Sequence, residues 1–404
     1  MTGPLNGLRL FDLTRILAGP TCTQILGDLG AEVIKVERPV SGDDTRKFGP
    51  PFLKDEAGRE TSESAYFLGL NRNKRSITLD LTKPEGQDLA RRMIAQCDIL
   101  VENFKTGGLS KYGLSYDQLK DANPGLVYCS VTGFGQTGPY AERPGYDVLI
   151  QAMSGLMSTT GEPEGEPQKS GVPISDLMSG MYAAVGICAA LRHREITGEG
   201  QHIDISMLDT SVATLSMQGM NYLASGVAPP RFGNAHPNIV PYQVFATSDG
   251  HIILAIANDG QFDRFCEFAG VVELCKDDRF CTNVERVLNR EALIPILADI
   301  VAAKPSHHWL EGLEACNVSS GPINTIDQVF DDPHVRAREM EIAMAHPLVD
   351  KPVRLIGSPL KMSATPPSYD LPPPLLGEHT DAVLGEMLEL GADELAGLRY
   401  RGVI

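Results

Sequence analysis

The chain has 404 residues, 42% of them hydrophobic and 22% charged, with 52 acidic against 35 basic side chains and a formal net charge of −17. That length exceeds what one hydrophobic core usually serves and points to two domains, while the acidic balance repels polyanions and argues against nucleic acid as a partner. No stretch reaches the roughly 20 apolar residues of a bilayer span, and Met1-Thr2-Gly3-Pro4-Leu5-Asn6 lacks the basic start and apolar run of a secretory signal, so a cytoplasmic protein without a membrane partner is the expectation.

Residues 8–13 read as a short apolar strand, 21–29 as a helix and 32–36 as a second strand. The pattern recurs with a strand at 76–81, a helix at 85–95, a strand at 98–101, a helix at 116–122 and a strand at 126–131. Such alternation predicts a doubly wound parallel α/β sheet. Ligands then gather beyond the carboxyl ends of strands, near residues 14–18, 37–38, 103–104 and 132–133. A dinucleotide fingerprint is poorly supported: Ala18-Gly19-Pro20 lacks its spacing, and Gly133-Phe134-Gly135-Gln136-Thr137-Gly138 matches its letters but runs into Pro139 with no helix behind it. Asn71-Arg72-Asn73-Lys74-Arg75 places three cations within four residues, suited to phosphates or, more plainly, to a solvated charge cluster.

After a Gly/Pro/Glu-rich loop at 159–167 come Gly171-Val172-Pro173-Ile174-Ser175-Asp176 and an Ala-rich helical run at 181–191. Asp176 therefore sits near a helix start, where amides steady an anion. It is either the cap of that helix or a nucleophile; a carboxyl with the ordinary pKa of about 3.9 is ionised at neutral pH and needs no base to activate it. Residues 207–223 lead to a linker at 224–230, followed by a hairpin at 245–254 around Asp249-Gly250 and helices at 261–268 and 290–303. Near Gly321-Pro322-Ile323-Asn324 the chain leaves this smaller α+β domain, and Pro372-Pro373-Pro374 interrupts a returning tail. The expected divisions are 1–207 for the ligand-binding part of a large domain, 208–230 for a linker helix and loop, 231–325 for the small domain, and 326–404 for the return linker and remainder of the large domain. The eight cysteines form no Cys-x-x-Cys pair and no cluster with histidine, so free thiols and no metal site are expected.

Five segments carry a resemblance: Asp12-Leu13-Thr14-Arg15-Ile16-Leu17-Ala18-Gly19-Pro20, Gly27-Asp28-Leu29-Gly30-Ala31-Glu32-Val33-Ile34-Lys35-Val36-Glu37, Asn73-Lys74-Arg75-Ser76, Val101-Glu102-Asn103-Phe104 and Leu375-Leu376-Gly377-Glu378-His379-Thr380. In this order, over nearly the whole chain, they resemble the class III CoA-transferases of the CaiB/BaiF type. Ser41-Gly42-Asp43-Asp44-Thr45-Arg46, Gly49-Pro50-Pro51-Phe52 and Ile239-Val240-Pro241-Tyr242-Gln243 look closest to the succinyl-CoA:dicarboxylate branch, which handles glutarate or hydroxymethylglutarate. The resemblance implies a Rossmann-like large domain, a smaller α+β domain and an interlocked homodimer in which each chain threads its partner's ring. It implies coenzyme A, as acyl-CoA, and a small carboxylic acid as substrates, with no metal.

By the same resemblance Asp176 is the catalytic nucleophile, passing CoA from succinyl-CoA to a dicarboxylic acid through aspartyl anhydride and aspartyl-CoA thioester intermediates. CoA contacts are implied for Leu17, Ala18, Arg38, Leu79, Asp80, Leu81, Thr82, Asn103, Phe104, Lys105, Lys111, Arg143, Tyr146 and Asp147. Leu17 stands where some relatives have Gln, and Lys111 where some have Arg, keeping the charge but losing bidentate geometry. Arg46, Arg231 and His236 are candidates for the distal carboxylate of the acyl group. At Tyr146-Asp147 the related α-methylacyl-CoA racemases have His-Asp, and a tyrosine with pKa about 10 is a poor base at neutral pH. Transfer is thus favoured over a racemase or epimerase, with formyl-CoA:oxalate-type and carnitine-type transfer as further alternatives.

Overall fold

The computed structural model describes residues 3–404; Met1 and Thr2, which open the segment read for a secretory signal, lie outside the described residues. The chain divides into two compact units. One comprises Met1–Leu156, Ser170–Met220 and His334–Ile404, and the other Met157–Lys169 and Asn221–Pro333.

The first unit is built on six strands, β1 (Arg9–Asp12), β2 (Glu32–Glu37), β3 (Lys74–Thr78), β4 (Ile99–Glu102), β5 (Val127–Thr132) and β6 (His202–Ser206). Their order is β3-β2-β1-β4-β5-β6, and every neighbouring pair is parallel. The chain moves outward from β1 through β2 to β3, then returns to the other side of β1 for β4. Loops leaving the carboxyl ends of β1 and β4 therefore run in opposite directions and open a crevice between them.

Helices α1 (Ala18–Asp28), α2 (Pro84–Ile94), α3 (Asp147–Met153) and α4 (Ile174–Thr197) belong to this unit. Strand alternation assigns two cores. Phe11, Ile34, Leu100 and Tyr128 pack with Leu89 and Met93 of α2 and with Val383 and Leu384 of the helix Thr380–Leu388 near the C-terminus. Leu10, Val33, Val101 and Val127 point the other way, onto Cys22 and Leu26 of α1 and Ala183 and Ile187 of α4. Small residues let α1 and α4 lie close: a Cβ added at Gly180 would sit 2.6 Å from the Ala18 carbonyl oxygen. Contrary to the expectation of no membrane-length segment, α4 is long and apolar enough by length and composition to cross a bilayer. Its inner side, including Ala183, Ile187 and Leu191, is core in this fold.

Two local expectations are corrected. Residues 79–81, read as the end of a strand, form with Thr82 a turn beyond β3, in which Asp80 Oδ1 accepts from the Thr82 N–H at 2.9 Å and its hydroxyl at 2.6 Å on the way into α2. The cation cluster at 71–75 forms no phosphate patch, because its charges are spent inside the fold. Arg72 forks onto Asp28 at 2.9 and 2.6 Å, Lys74 lies 3.3 Å from Asp12 and donates to the Pro20 carbonyl, and Arg75 bridges Glu32 and Glu386.

In the second unit, antiparallel strands Ser319–Pro322, His251–Ala255 and Tyr242–Ala246 lie in that order. Helices Asp259–Ala269, Arg290–Ala302 and Ser306–Ala315 supply Phe262, Phe265, Leu293, Leu297 and Trp309 to its core. This unit runs from Asn221 to Pro333 rather than 231–325, and it also takes in 157–169. Arg231 is one reason: it donates to the carbonyls of Glu162 at 3.0 Å, Pro163 at 3.3 Å and Gly165, while the Gly233 N–H bonds the Gly161 carbonyl.

Candidate active site

Asp176 is the third residue of α4, and Pro173 at the N-cap position gives the helix no side-chain cap of its own. The cap comes from another helix. Asp147, at the start of α3, accepts through Oδ1 from the N–H groups of Ser175 at 2.9 Å and Asp176 at 3.3 Å. Its Oδ2 accepts from Gln151 Nε2 at 2.6 Å, and Gln151 Oε1 in turn accepts from the Ser170 N–H. The capping reading of Asp176 is thereby corrected: Asp147 satisfies the helix start, and the Asp176 carboxylate is left to face solvent-accessible space. Glycines permit this approach. A Cβ on Gly133 would lie 2.5 Å from the Gly145 Cα, and one on Gly145 2.3 Å from the Gly133 Cα, so the loop leaving β5 and the segment entering α3 cross in direct contact.

That space is a cavity of about 170 Å³ at the crevice between β1 and β4. Its walls are Arg15–Ala18 after β1, 103–106 after β4, 131–133 at the end of β5, 143–147 before α3, and Asp176 with Met207. Burial, then the neighbouring Asp147, lifts the Asp176 pKa from 3.8 to about 7. The expectation of a fully ionised carboxylate at neutral pH is thus corrected. Tyr66, half-buried and edge-on to Phe48 at 5.6 Å, has its phenol pushed up to about 12 by burial and by Asp176, Asp147 and Asp43. It stays protonated close enough to feel these carboxylates, although it does not line the cavity itself. Cations also line the cavity: Arg15, whose Nη1 bonds Asp44 at 2.9 Å, Lys105, and Arg143, which lies over the Tyr140 ring at 4.5 Å.

Of the residues expected at the site, Leu17, Ala18, Asn103, Phe104, Lys105, Arg143, Tyr146, Asp147 and Asp176 line this one cavity. Leu79, Asp80, Leu81, Thr82, Arg38 and Lys111 do not. Arg38 is exposed and pairs with Asp44 at 3.1 Å, while Lys111 Nζ lies 4.7 Å from the centre of the Tyr112 ring. Arg46 is a correction. Buried over the Phe67 ring, it gives Nε and Nη2 to Glu37 at 2.8 Å each, Nη1 to the two carboxylate oxygens of Glu63 at 3.0 and 3.3 Å and Nη2 also to the Pro374 carbonyl, leaving no donor for a substrate. Arg231 and His236 belong to the second unit. The donors of Arg231 hold its 157–169 loop, whereas His236 Nδ1 accepts from the Asn238 N–H at 3.0 Å, and burial and Arg290 lower its pKa. Arg15, Tyr66 and Met207 went unpredicted. Arg15 lies inside a motif already singled out, but Tyr66 carries no local sign of its neighbours.

CoA-transferase family III matches residues 5–380 of the chain. The chain is a family III CoA-transferase. Over 386 residues this transferase is 48% identical to the succinate–glutarate CoA-transferase of Agrobacterium fabrum, a match covering 95% of this chain and 96% of that protein. Human succinyl-CoA:glutarate CoA-transferase is 42% identical over 401 residues, covering 99% of this chain and 90% of its own. A crystal structure of a CaiB/BaiF family protein from Brucella suis superposes with TM-score 0.84 at 49% identity, covering 96% of this chain and 100% of that one. As a CoA-transferase the protein uses CoA thioesters as substrates, and its mixed α/β fold with a parallel central sheet is the fold of that neighbour.

Proposed function

We propose that this transferase moves CoA from succinyl-CoA to a C4 to C6 dicarboxylic acid through covalent intermediates on Asp176. The observation that carries the reading is the Asp176 carboxylate, held by the Asp147 cap and turned into a cavity with cationic walls at the sheet's switch point. The names of the A. fabrum and human relatives support the choice of donor and acceptor.

In the first step an Asp176 carboxylate oxygen attacks the succinyl thioester carbon; the C–S bond breaks, and a mixed anhydride and CoA thiolate form. The thiolate attacks the aspartyl carbonyl, releasing succinate and leaving an aspartyl-CoA thioester. The incoming carboxylate displaces CoA to form a second anhydride, and the thiolate takes its acyl group, restoring Asp176. No proton is consumed overall. Because the desolvated carboxylate has a pKa of about 7, its ionised form is a stronger nucleophile than an ordinary aspartate, at the cost of being only half populated near pH 7. A protonated phenol near Asp176, that of Tyr66, supports stabilisation of the oxygens that gain charge at the reacting carbonyl. Arg15 and Arg143 take over from Arg46 as partners for a distal carboxylate. Met181, Tyr182 and Val185 on the outer side of α4, each about half or more exposed, support assembly as a homodimer.

Among the described residues no histidine lines the cavity, so the imidazole of the racemases' His-Asp pair has no counterpart there. The test is incubation with succinyl-CoA and a panel of acids, with mass spectrometry for acyl-CoA products and for a CoA adduct on Asp176. A dicarboxyl-CoA product together with the adduct is expected. Transfer without the adduct, or its persistence in Asp176→Asn, refutes the nucleophile; equal use of glutarate and its monoester removes the distal-carboxylate site.

A further inference from the structure

Ile16 has φ of +71°. For a β-branched residue this left-handed conformation is sterically unfavourable and persists only where the surroundings impose it. Ile16 lies in the turn between β1 and α1, immediately before Leu17 and Ala18 on the cavity wall.

The surroundings grip three successive residues, all through the backbone. Lys35 Nζ donates to the Thr14 carbonyl at 3.0 Å. Asn103 Oδ1 accepts from the Arg15 N–H at 3.1 Å, and its Nδ2 donates to the Arg15 carbonyl at 2.7 Å. Asp43 Oδ1 accepts from the Ile16 N–H at 3.3 Å. Lys35 and Asp43 are themselves joined by an ion pair of 2.9 Å, with side chains 0% and 1% exposed. Thr45 fixes the Asp43 carboxylate independently of Ile16, giving it a backbone N–H at 2.9 Å and a hydroxyl at 2.8 Å.

We infer that Lys35 and Asp43 are positioning residues for the transfer reaction: their buried ion pair, acting with Asn103, holds Ile16 in its left-handed conformation and so fixes the Leu17–Ala18 wall of the cavity beside Asp176. The inference rests on the CoA transfer proposed for this cavity. Stability alone is a weak reason for such a pair, since removing two charges from water is expensive and buried pairs can often be replaced by apolar residues without loss. Geometry is a better one. One member takes a carbonyl and the other an amide two residues on, so the pair sets the two ends of the turn relative to each other. Burial and the neighbouring Lys74 oppose charge on Lys35, but Asp43, Asp12 at the end of β1 and Glu37 on β2 outweigh them and raise its pKa, and Lys35 in turn holds Asp43 down to about 2 against the effect of burial. The clamp is therefore intact across the working pH range.

The test is the double variant Lys35→Met with Asp43→Asn, which removes both charges and leaves no buried ion unpaired. Hydrogen exchange in the 13–19 segment is expected to speed up at least about tenfold while the global unfolding midpoint moves little. kcat should fall by about 10²-fold, the scale of a displacement of about 1 Å at a reacting centre, with KM changed much less. Adding Ile16→Gly, which adopts positive φ without strain, should restore most of kcat. Unchanged exchange in the double variant overturns the inference, as does a loss of kcat that tracks global stability and is not rescued by Ile16→Gly. Should the double variant fail to fold, Asp43→Asn alone is read in the same way. The exchange measurement needs no turnover, so a wild-type protein that transfers no CoA defeats the functional reading and leaves the clamp to be decided by exchange.

Discussion

Asp176→Asn should make the protein more stable as well as inactive, and the gain should depend on pH in a defined way. In the fold the Asp176 pKa is about 7, against 3.8 for an ordinary aspartate. Between those values the folded chain keeps a proton that the unfolded chain has lost, so the stability contributed by this group falls as pH rises. At about 1.4 kcal/mol per pH unit, the full penalty reaches an upper bound of about 4 kcal/mol once pH exceeds 7. The asparagine variant keeps the shape without the charge and escapes that penalty. Urea denaturation of both proteins from pH 5 to 8 checks this. The gap in stability should widen from about 1.5 kcal/mol at pH 5 towards about 4 kcal/mol at pH 8, then level off. A gap that does not change with pH, or a variant less stable than wild type at pH 8, would show that Asp176 is not held in an unfavourable ionised state and would refute the argument.

Removing the charge of Asp147 with Asp147→Asn keeps an acceptor for the two α4 amides but takes away the second cause of the high Asp176 pKa. The acid limb of the kcat/KM profile should move from near pH 7 to lower pH, and an unmoved limb would show that the two carboxylates are uncoupled. Asp147→Ala leaves both amides without the cap and should cost about 1–3 kcal/mol of stability and more activity than the Asn variant, as thermal unfolding and rates would show. Arg46→Met strands Glu37 and Glu63 in the interior, and the expected loss is about 3–5 kcal/mol in denaturation, with the glutarate-to-monoester preference of the folded fraction unchanged. Gly180→Ala drives a methyl to 2.6 Å from the Ala18 carbonyl, and a loss of about 1–3 kcal/mol with weaker CoA binding in titration calorimetry is expected, whereas Gly186→Ala, whose nearest neighbour is the Ile203 Cγ2 at 3.3 Å, should cost less.

Much of the fold was legible because it rests on local rules. Alternating strand and helix patterns identified five of the six sheet strands, and the motif residues after β1 and β4 proved to be the two sides of one crevice. The sixth strand, His202–Ser206, was missed: His202 and Asp204 alternate with Ile203 and Ile205 over too short a span to stand out. The start of α4 was also later in the reading than in the fold, since Gly171 and Pro173 mask a helix whose first amides are capped from a residue nearly thirty positions earlier. Charge was the least legible property. Arg46, Arg72, Lys74 and Arg75 look alike in sequence to a ligand-binding group, yet their partners include Glu37, Asp28, Asp12 and Glu386, brought together only by the parallel sheet and the returning C-terminal segment.

By itself, then, the sequence determined what depends on neighbours along the chain: the alternation of elements, the loops that leave the strands, and an aspartate at the head of a long helix. Tertiary structure alone decided which of those loops share a cavity, which arginines are consumed inside the protein, and that Asp176 titrates near 7 instead of near 4. The physical reason is that hydrophobic periodicity and turn chemistry act over a few residues, whereas desolvation and ion pairing act through space, between groups that the chain separates by tens to hundreds of positions.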